Sequence, residues 1–343
     1  MGKGKSSNIK KNGYQADVTN VTDKKNVCKT VVKTRTGIRD IFQRLFRNKP
    51  QKSSSGTDDD TTNEPVSVLE TENHVRGSEE GQPDPIIQDI KPWQSVGESV
   101  VGMAHRRGAV PVVCQDAYCI NNSKRTILVV CDGAGSATMS EIGSQNVSQS
   151  VVRFLFSLEH IMAKVLDSID SMFPIDDTLL SKMIYRYSIQ TLKDLSLNYR
   201  REVKDFRTTL LIFITGEKRA FWLKVGDGEI VIENNNTLQR VGTSIKGEYS
   251  NETVFIDEKL NYNDVQYGLV DMSSVLGVAI MSDGSSERLV STDGKKIAGR
   301  LSEYFEMLRN SKLSREELYK FLNDYEVWKG STHDDKTLVL ASR

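Results

Sequence analysis

The stretch Thr126–Ser136, TILVVCDGAGS, is where an apolar run of the chain ends abruptly on a carboxylate. Its β-branched residues predict a buried strand up to Cys131, which we interpret as a small core residue rather than a nucleophile. Asp132 follows at once and precedes a glycine. A single Asp-Gly after a strand is usually a turn. A carboxylate beside an apolar strand end is nevertheless costly unless something neutralises it, so Asp132 is a candidate site residue.

Acidic residues next to predicted strands recur along the chain. They are Asp116, Asp227, Asp283 and Asp334. Because several strands can end at one edge of a sandwich, we expect these carboxylates to converge with Asp132, and crowded carboxylates need cations. Oxygen ligands without a set of His and Cys at metal spacing favour Mg²⁺ or Mn²⁺ over zinc. Two such ions roughly 3.5–4 Å apart can activate a water for in-line attack on phosphorus.

The periodicity of the apolar residues predicts an α+β domain. Short β-branched runs predict strands, and apolar residues at helical spacing predict helices between them, without the strict βαβ rhythm of a doubly wound sheet. In the segment that begins at Ser314, Glu317 completes a capping box. The predicted strands are 99–103, 126–131, 208–215, 220–225, 229–233, 275–282 and 337–341, and the predicted helices are 140–158, 177–198, 296–310 and one from 314.

The charge of the chain is distributed unevenly although its formal net charge is zero. Residues 1–52 hold 14 Lys and Arg against 3 Asp and Glu, whereas residues 53–90 hold 10 Asp and Glu against one Arg. Both segments are poor in periodic apolar residues, so we predict a disordered tail over residues 1–90 and a folded domain over residues 91–343. The domain is close to neutral, and this gives no support to the binding of nucleic acid.

The tail contains one amphipathic segment. Over residues 38–47 apolar side chains recur at helical spacing among arginines, which predicts a short basic helix. Such a helix would dock on an anionic membrane surface or on a partner groove, or would pack on its own domain. The start, Met1-Gly2 with Ser6, also fits the loose N-myristoylation pattern. No apolar run is long enough to span a bilayer, and the four cysteines show no paired spacing. We therefore predict a cytoplasmic protein, with peripheral membrane attachment as an alternative.

The order of the short motifs and the residues in them resemble those of one known family. From about Trp93 onward, the chain resembles the type 2C protein phosphatases, the metal-dependent Ser/Thr (PPM) class, in a bacterial-like version. Each piece is short and degenerate, but all of them in the right order form a specific signal. In that order, the pieces are Gly102-Met-Ala-His105, Gln115-Asp116-Ala117, Asp132-Gly133-Ala-Gly135-Ser136, Thr208-Thr209, Val225-Gly226-Asp227-Gly228, Ser282-Asp283-Gly284 and Asp334-Asp335-Lys-Thr337.

The resemblance implies a fold, a reaction and a set of metal ligands. The fold would be a four-layer αββα sandwich, with two central antiparallel β-sheets flanked by helix pairs. The reaction would be hydrolysis of phosphoserine and phosphothreonine in proteins by water activated by two Mn²⁺ or Mg²⁺ ions, with a third, weaker ion as an option. Asp132 would bridge both metals, and Asp334 is preferred over Asp335 because the family's ligand precedes a Thr or Ser by three residues. The implied ligands are Asp116, Asp132, the carbonyl of Gly133, Asp283, Asp334 and, for the third ion, Asp227.

The sequence departs from the family where an arginine that clamps the substrate phosphate is common. That position, shortly before the first Asp of the site, is Pro111 here. Arg106 and Arg107 lie earlier and would clamp the phosphate if the loop folds back; the alternative is a solvated charge pair. His105 is similar to a histidine of some bacterial members. It would act near the metals, where a histidine or metal-bound water protonates the departing oxygen, or it would make a structural hydrogen bond.

Two other functions stay open as alternatives. The missing upstream arginine fits a catalytically weak or inactive scaffold that binds phosphoproteins, and recognition of phosphate mainly by charge fits a hydrolase of a small phosphoester. As an enzyme, the chain would act as a monomer on a phosphoprotein, with a cognate Ser/Thr kinase as an optional partner. Residues 242–268 have few helix or strand cues and resemble the mobile flap beside the site in bacterial members.

Overall fold

The structure is a computed structural model that describes residues 92–106, 113–168, 176–243 and 253–343. The chain divides into two units, Met1–Gln82 and Pro83–Arg343, and every described residue lies in the second. The predicted tail over residues 1–90, its helix over residues 38–47 and Arg107 lie outside the described residues.

Two antiparallel sheets of five strands each form the centre of the domain. The first sheet has the order β1-β10-β9-β6-β7 and consists of β1 (Gln94–Val100), β6 (Glu229–Asn234), β7 (Thr237–Val241), β9 (Val275–Met281) and β10 (Lys336–Ser342). The second sheet has the order β2-β3-β4-β5-β8 and consists of β2 (Ala117–Asn121), β3 (Ile127–Cys131), β4 (Leu210–Ile214), β5 (Arg219–Val225) and β8 (Gln266–Asp271).

Helices cover the outer faces of both sheets and connect the strands. They are α1 (Met103–Arg106), α2 (Ser140–Ser157), α3 (Glu159–Leu166), α4 (Asp177–Tyr199), α5 (Asp283–Leu289), α6 (Arg300–Arg309), α7 (Arg315–Asn323) and α8 (Tyr325–Trp328), with 3₁₀ turns at Val203–Phe206 and Tyr262–Asp264. The capping box expected from the sequence is present, because the Ser314 hydroxyl accepts from Glu317 N and the Glu317 carboxylate accepts from Ser314 N.

The apolar core lies in three layers between four layers of secondary structure. Between the sheets, side chains of β3 such as Leu128 and Val130 pack with Ile280 of β9. Outside the first sheet, side chains of α6, α7 and α8 pack on β9 and β10. Outside the second sheet, α2 packs on β2, β3 and α4, and the rings of Phe154 and Tyr187 stack with centroids 4.2 Å apart. The αββα sandwich implied by the resemblance is therefore the observed fold.

The strands missed or misplaced by sequence reasoning are all edge strands. β1, β2, β7 and β8 end the two sheets, so each has one open edge and a weaker apolar signal than strands covered on both faces. The predicted strand over 99–103 is wrong: the strand is Gln94–Val100, because pairing of that whole segment with Lys336–Ser342 satisfies its backbone, and α1 begins at Met103.

Two helices also differ from the sequence prediction. The predicted helix over 140–158 is followed directly by a second helix, Glu159–Leu166, which was not predicted from the sequence. Asp283 begins helix α5 instead of lying in a turn after β9. None of the helices in the described part of the chain is long and apolar enough to cross a membrane.

Candidate active site

Strand pairing in the second sheet places two of the candidate carboxylates side by side. Ala117 of β2 pairs with Cys131 of β3. Asp116 directly precedes β2 and Asp132 directly follows β3, so both lie at the same end of the sheet. Cys131 is fully buried, which confirms its interpretation as a core residue.

The first sheet brings its own carboxylates to a matching end. Leu338 of β10 pairs with Met281 of β9, so Asp283 after β9 and Asp334 before β10 lie at one end. Met281 also pairs with the first residue of β6, which places Asp227 of the β5–β6 turn there. Because the sheets stack face to face, all five candidate carboxylates face one end of the sandwich.

Asp116 is the most deeply buried of the five. Its side chain is 4% exposed, and Oδ2 accepts a hydrogen bond of 2.6 Å from the Ser282 hydroxyl. Its Oδ1 is buried and has no hydrogen-bond partner among the described residues. Burial, followed by repulsion from the carboxylates of Asp335 and Asp283, raises the pKa of Asp116 to about 8. In the metal-free protein, this carboxyl group therefore holds its proton near neutral pH.

Asp132 and Asp283 are close enough for their carboxyl groups to share a hydrogen bond. Burial first, and then the carboxylates of Asp116 and Asp283, raise the pKa of Asp132 well above its usual range. Burial and the carboxylate of Asp227 raise the pKa of Asp283 to about 6. Because these carboxylates repel each other, a bound cation would stabilise their ionised forms strongly.

The backbone around Asp132 is held by β4 and by the segment before β2. Asp132 N donates to the Thr209 hydroxyl over 2.9 Å, and Asp132 O accepts from Thr209 N over 2.8 Å and from the Thr208 hydroxyl over 2.9 Å. Gly133 N donates to Gln115 O over 3.1 Å. A Cβ at position 133 would lie only 2.8 Å from that same oxygen. Only glycine therefore lets the chain pass so close to the segment that carries Asp116.

Asp227 lies at the border of the same cluster. Its Oδ2 accepts a hydrogen bond of 2.7 Å from the Thr253 hydroxyl, whereas its Oδ1 is buried without a partner in the part of the chain that the structure describes. Gly226 before it has φ +111°, which a residue with a side chain rarely adopts. Residues 244–252 of the expected flap lie outside the described residues, and its end, 266–268, belongs to strand β8.

Asp334 and Asp335 have different roles in the structure. Asp335 is buried, and both of its carboxylate oxygens are occupied: Oδ1 accepts from Gly102 N over 2.6 Å, and Oδ2 accepts from Gln115 N over 2.6 Å. The side chain of Asp334 is 50% exposed and interacts with Asp283. Asp335 thus ties α1 to the segment before β2, while Asp334 faces the carboxylate cluster.

His105 lies beside these two aspartates. Its Nδ1 is 2.9 Å from Asp335 Oδ1, and its Nε2 is 3.8 Å from Asp334 Oδ1. His333, the residue directly before Asp334, adopts a left-handed backbone with φ +62°. Its carbonyl oxygen accepts from Ala104 N over 3.0 Å. The structure therefore brings His105, but not His160 on the exposed face of α3, to the candidate site.

Arg106 does not point among the carboxylates in this structure. Its guanidinium donates to Asn323 Oδ1 over 2.5 Å at the end of α7. Lys336 is a cation of the site that sequence reasoning did not single out: it is buried, and its Nζ donates to Asp334 O over 2.9 Å. Burial lowers the pKa of Lys336. Its only sequence signal is its place directly after Asp334-Asp335.

The donor set fits hard divalent cations. Five carboxylates converge, and two of them, Asp116 and Asp227, each present a buried oxygen without a partner among the described residues. Among the described residues, His105 is the histidine that groups with Asp334 and Asp335, with ligand atoms within 4.8 Å of one another. Oxygen-rich sites of this kind suit Mg²⁺ and Mn²⁺. The carboxylates that would hold the ions are therefore Asp116, Asp132, Asp283, Asp334 and Asp227.

Several known proteins are similar to this chain. A curated relative, Serine/threonine-protein phosphatase 3 of Escherichia coli (strain K12), is 26% identical over 262 residues, which are 73% of this chain and 98% of the relative. A solved bacterial serine phosphatase is 17% identical, with a TM-score of 0.47 and coverage of 72% of this chain and 96% of the other. The catalytic domain of the phosphatase PstP, solved with two manganese ions, is 16% identical, with a TM-score of 0.48 and coverage of 73% and 97%.

The family model described as Protein phosphatase 2C matches residues 101–323. This match covers more than half of the chain, from the segment before α1 to the end of α7, and so includes the acidic positions from Asp116 to Asp283. This chain belongs to the protein phosphatase 2C family.

Proposed function

We propose that this protein hydrolyses phosphoserine and phosphothreonine in proteins and that it depends on divalent metal ions, Mn²⁺ or Mg²⁺. The observation that carries the proposal is the convergence of Asp116, Asp132, Asp283, Asp334 and Asp227 at one end of the sandwich, with buried oxygens of Asp116 and Asp227 that lack a partner among the described residues. Crowded carboxylates are destabilising on their own, and a fold that maintains them needs a cation there.

Each residue of the site has a task in this proposal. Asp132, whose carboxyl group is close to those of Asp116 and Asp283, would hold the ions together with them, with the carbonyl of Gly133 as a further ligand. Asp116 would bind one ion, and Asp283 and Asp334 would bind the other. Asp227 would help to hold a third, more weakly bound ion. When bound, the ions supply positive charge for the phosphoryl oxygens and an activated water for in-line attack. The Ser282 and Thr209 hydroxyls keep Asp116 and Asp132 in place.

The inactive scaffold is the less supported alternative. A protein that only binds phosphate has no need of five acidic side chains, which repel an anion. The site keeps all five. The Ser282 hydroxyl donates to the Asp116 carboxylate, and the Thr209 hydroxyl accepts from Asp132 N and so holds the backbone there. The substrate would be a phosphoprotein, and a cognate Ser/Thr kinase would be the enzyme that supplies it. A small phosphoester is the alternative substrate, because charge is the main basis of recognition.

The test is release of phosphate from phosphothreonine peptides and from p-nitrophenyl phosphate by the purified full-length chain. We expect activity with Mn²⁺ and none after chelation. Asp132→Asn preserves the size of the side chain but removes its charge. It should lower kcat by at least about 10²-fold, since loss of one electrostatic contact at a transition state costs about 10² to 10³ in other enzymes.

Asp194→Asn is the matched control, because Asp194 lies on the exposed face of α4 and, among the described residues, its side chain accepts a hydrogen bond from Gln190. It should retain the activity of the unaltered chain. Failure of the unaltered protein to release phosphate from any of these compounds at saturating Mn²⁺ would reject the proposed enzyme in favour of the scaffold. Turnover of p-nitrophenyl phosphate without turnover of any peptide would favour the small-phosphoester alternative.

A further inference from the structure

The hydrogen bonds of His105 leave one of its ring nitrogens available. Asp335 can only accept, because its Oδ1 already receives Gly102 N over 2.6 Å and its Oδ2 receives Gln115 N over 2.6 Å. The 2.9 Å contact to His105 therefore places the imidazole proton on Nδ1. In the neutral ring, Nε2 then carries the free lone pair.

That lone pair faces negative charge. Nε2 is 3.8 Å from Asp334 Oδ1, which is beyond hydrogen-bonding distance, and Asp334 in turn interacts with Asp283. A lone pair and a carboxylate oxygen held this close repel each other unless a positive charge lies between them. The same end of the sandwich contains the buried Oδ1 of Asp116, in a side chain that is 4% exposed, without a partner among the described residues.

We propose that His105 Nε2 is a ligand of a divalent metal ion that it shares with Asp334, with its Nδ1–H held by Asp335. This inference rests on the proposed metal dependence and adds a nitrogen donor to a site that is otherwise made of oxygen. A histidine that binds a metal almost always donates its other ring N–H to a carboxylate or a carbonyl, which fixes both its tautomer and its orientation. The bond between His105 and Asp335 has that form.

The distances are compatible with one shared ion. Two neighbouring ligand atoms that are each about 2.1 Å from an octahedral ion lie roughly 3 Å apart. The 3.8 Å between Nε2 and Asp334 Oδ1 is longer, and rotation of the half-exposed Asp334 side chain can close the gap when an ion binds. Asp335 is less available as the second ligand than Asp334, because its oxygens already accept from Gly102 N, Gln115 N and His105 Nδ1.

An imidazole ligand changes which metal ion the site prefers. Nitrogen donors suit Mn²⁺ and later transition metals better than Mg²⁺, which prefers oxygen. We therefore expect His105 to contribute more to the affinity for Mn²⁺ than to the affinity for Mg²⁺. An Nε2 bound to metal has no proton to give, so protonation of the departing oxygen would pass from His105 to water.

The experiment is pulsed electron paramagnetic resonance of the full-length chain at saturating Mn²⁺, with isothermal calorimetry on the same samples. We expect the spin echo to show the modulation of a directly bound ¹⁴N nucleus. Growth with ¹⁵N-histidine should change this modulation to that of ¹⁵N without any substitution. His105→Ala should abolish it and weaken Mn²⁺ binding by about tenfold or more, a loss at least equal to that of an outer partner of a ligand, with a smaller loss for Mg²⁺.

The other described histidines provide controls. His160→Ala removes an exposed ring, and His333→Asn replaces the neighbour of Asp334 with a residue that tolerates its left-handed backbone; both should retain the nitrogen signal. Calorimetric binding of Mn²⁺ without nitrogen modulation, or modulation that survives in His105→Ala, would overturn the inference and leave the proposed function intact. Absence of Mn²⁺ binding by the unaltered chain would overturn the proposed function, and the inference with it.

Discussion

Asp334 and Asp335 are neighbours in the chain, yet their surroundings assign them different tasks. Asp335 holds Gly102 N and Gln115 N at 2.6 Å each, whereas the half-exposed Asp334 has its own backbone neighbour, Asp335 N, as its hydrogen-bond donor. An amide at position 335 cannot accept all of these bonds, since its NH₂ group would face an N–H donor. Asp335→Asn should therefore lower the free energy of unfolding of the metal-free protein by about 1–3 kcal/mol.

Asp334→Asn should weaken metal binding and leave stability almost unchanged. Its oxygen can still accept from Asp335 N, so the stability of the metal-free protein should change by less than about 0.5 kcal/mol, while Mn²⁺ affinity and phosphatase activity fall. Urea unfolding and calorimetric Mn²⁺ titration of both variants separate the two effects. A large loss of stability in Asp334→Asn, with normal metal binding, would reverse the assignment.

At the level of single residues, the sequence indicated the positions of the carboxylates because each one interrupts or borders an apolar run. It did not indicate the hydrogen bonds that orient them. Ser282 and Asp116 are far apart in the chain, and their 2.6 Å contact exists only because β9 and β2 belong to sheets that stack. His105 and Asp335, also far apart in the chain, meet because β1 and β10, the strands next to them, pair in the first sheet.

Packing of α2 against the 3₁₀ turn Val203–Phe206 depends on a missing side chain. Gly143 lies so close to this turn that a Cβ there would overlap the carbonyl oxygen of Phe206, whose own side chain is fully buried. Because α2 also packs on β2 and β3, it cannot move away without opening the core. Gly143→Ala should destabilise the protein by about 1–3 kcal/mol or more, measured by urea unfolding.

Gly299, at the start of α6, is the matched control. A Cβ there meets nothing within 4 Å, and its backbone is right-handed. Gly299→Ala should change stability by less than about 0.5 kcal/mol. Equal effects of the two substitutions would mean that the intrinsic preference of glycine, and not the contact with Phe206, decides the outcome.

At the level of elements, sequence patterns worked best where an element is covered on both faces. β3 reads as a continuous apolar run because both of its faces are buried, and such runs are distinctive. The edge strands β2, β7 and β8 carry exposed or half-exposed residues and were not predicted. Their strand geometry comes from backbone pairing with a neighbour, which leaves little trace in a local pattern.

The stability of the whole metal-free domain should depend on pH because of the carboxylate cluster. A carboxyl group with a higher pKa in the folded state than in the unfolded chain binds its proton more tightly when folded, so stability falls as the pH rises between the two values. For Asp116 these values are 3.8 and about 8, and the pKa values of Asp132 and Asp283 are shifted in the same direction.

We therefore expect the free energy of unfolding of chelator-treated protein to decrease from pH 3.8 towards pH about 8. Unfolding at low pH that is caused by other groups is a separate effect. Saturating Mn²⁺ should oppose this decrease, since it stabilises the ionised carboxylates. Urea unfolding at several pH values with and without Mn²⁺ gives the result. A metal-free stability that rises steadily over this range would show that the carboxylates do not crowd each other.

Removal of residues 1–90 tests the domain organisation predicted from composition. All of the helices and strands that the structure describes lie beyond residue 91. A chain of residues 91–343 should therefore unfold at the same urea concentration as the full chain and turn over p-nitrophenyl phosphate equally well. Loss of catalysis or of cooperative unfolding on truncation would mean that the first 90 residues belong to the fold.

The sequence by itself determined which segments are apolar, where carboxylates border them, and how the motifs are ordered, because these properties depend only on neighbours in the chain. It thereby determined the α+β class and the candidate ligands. Only the tertiary structure decided which aspartate of the 334–335 pair is occupied by backbone N–H groups, where Arg106 points and which nitrogen of His105 is available. Those outcomes depend on contacts between segments that are distant in the chain, and no local pattern encodes a distance across two stacked sheets.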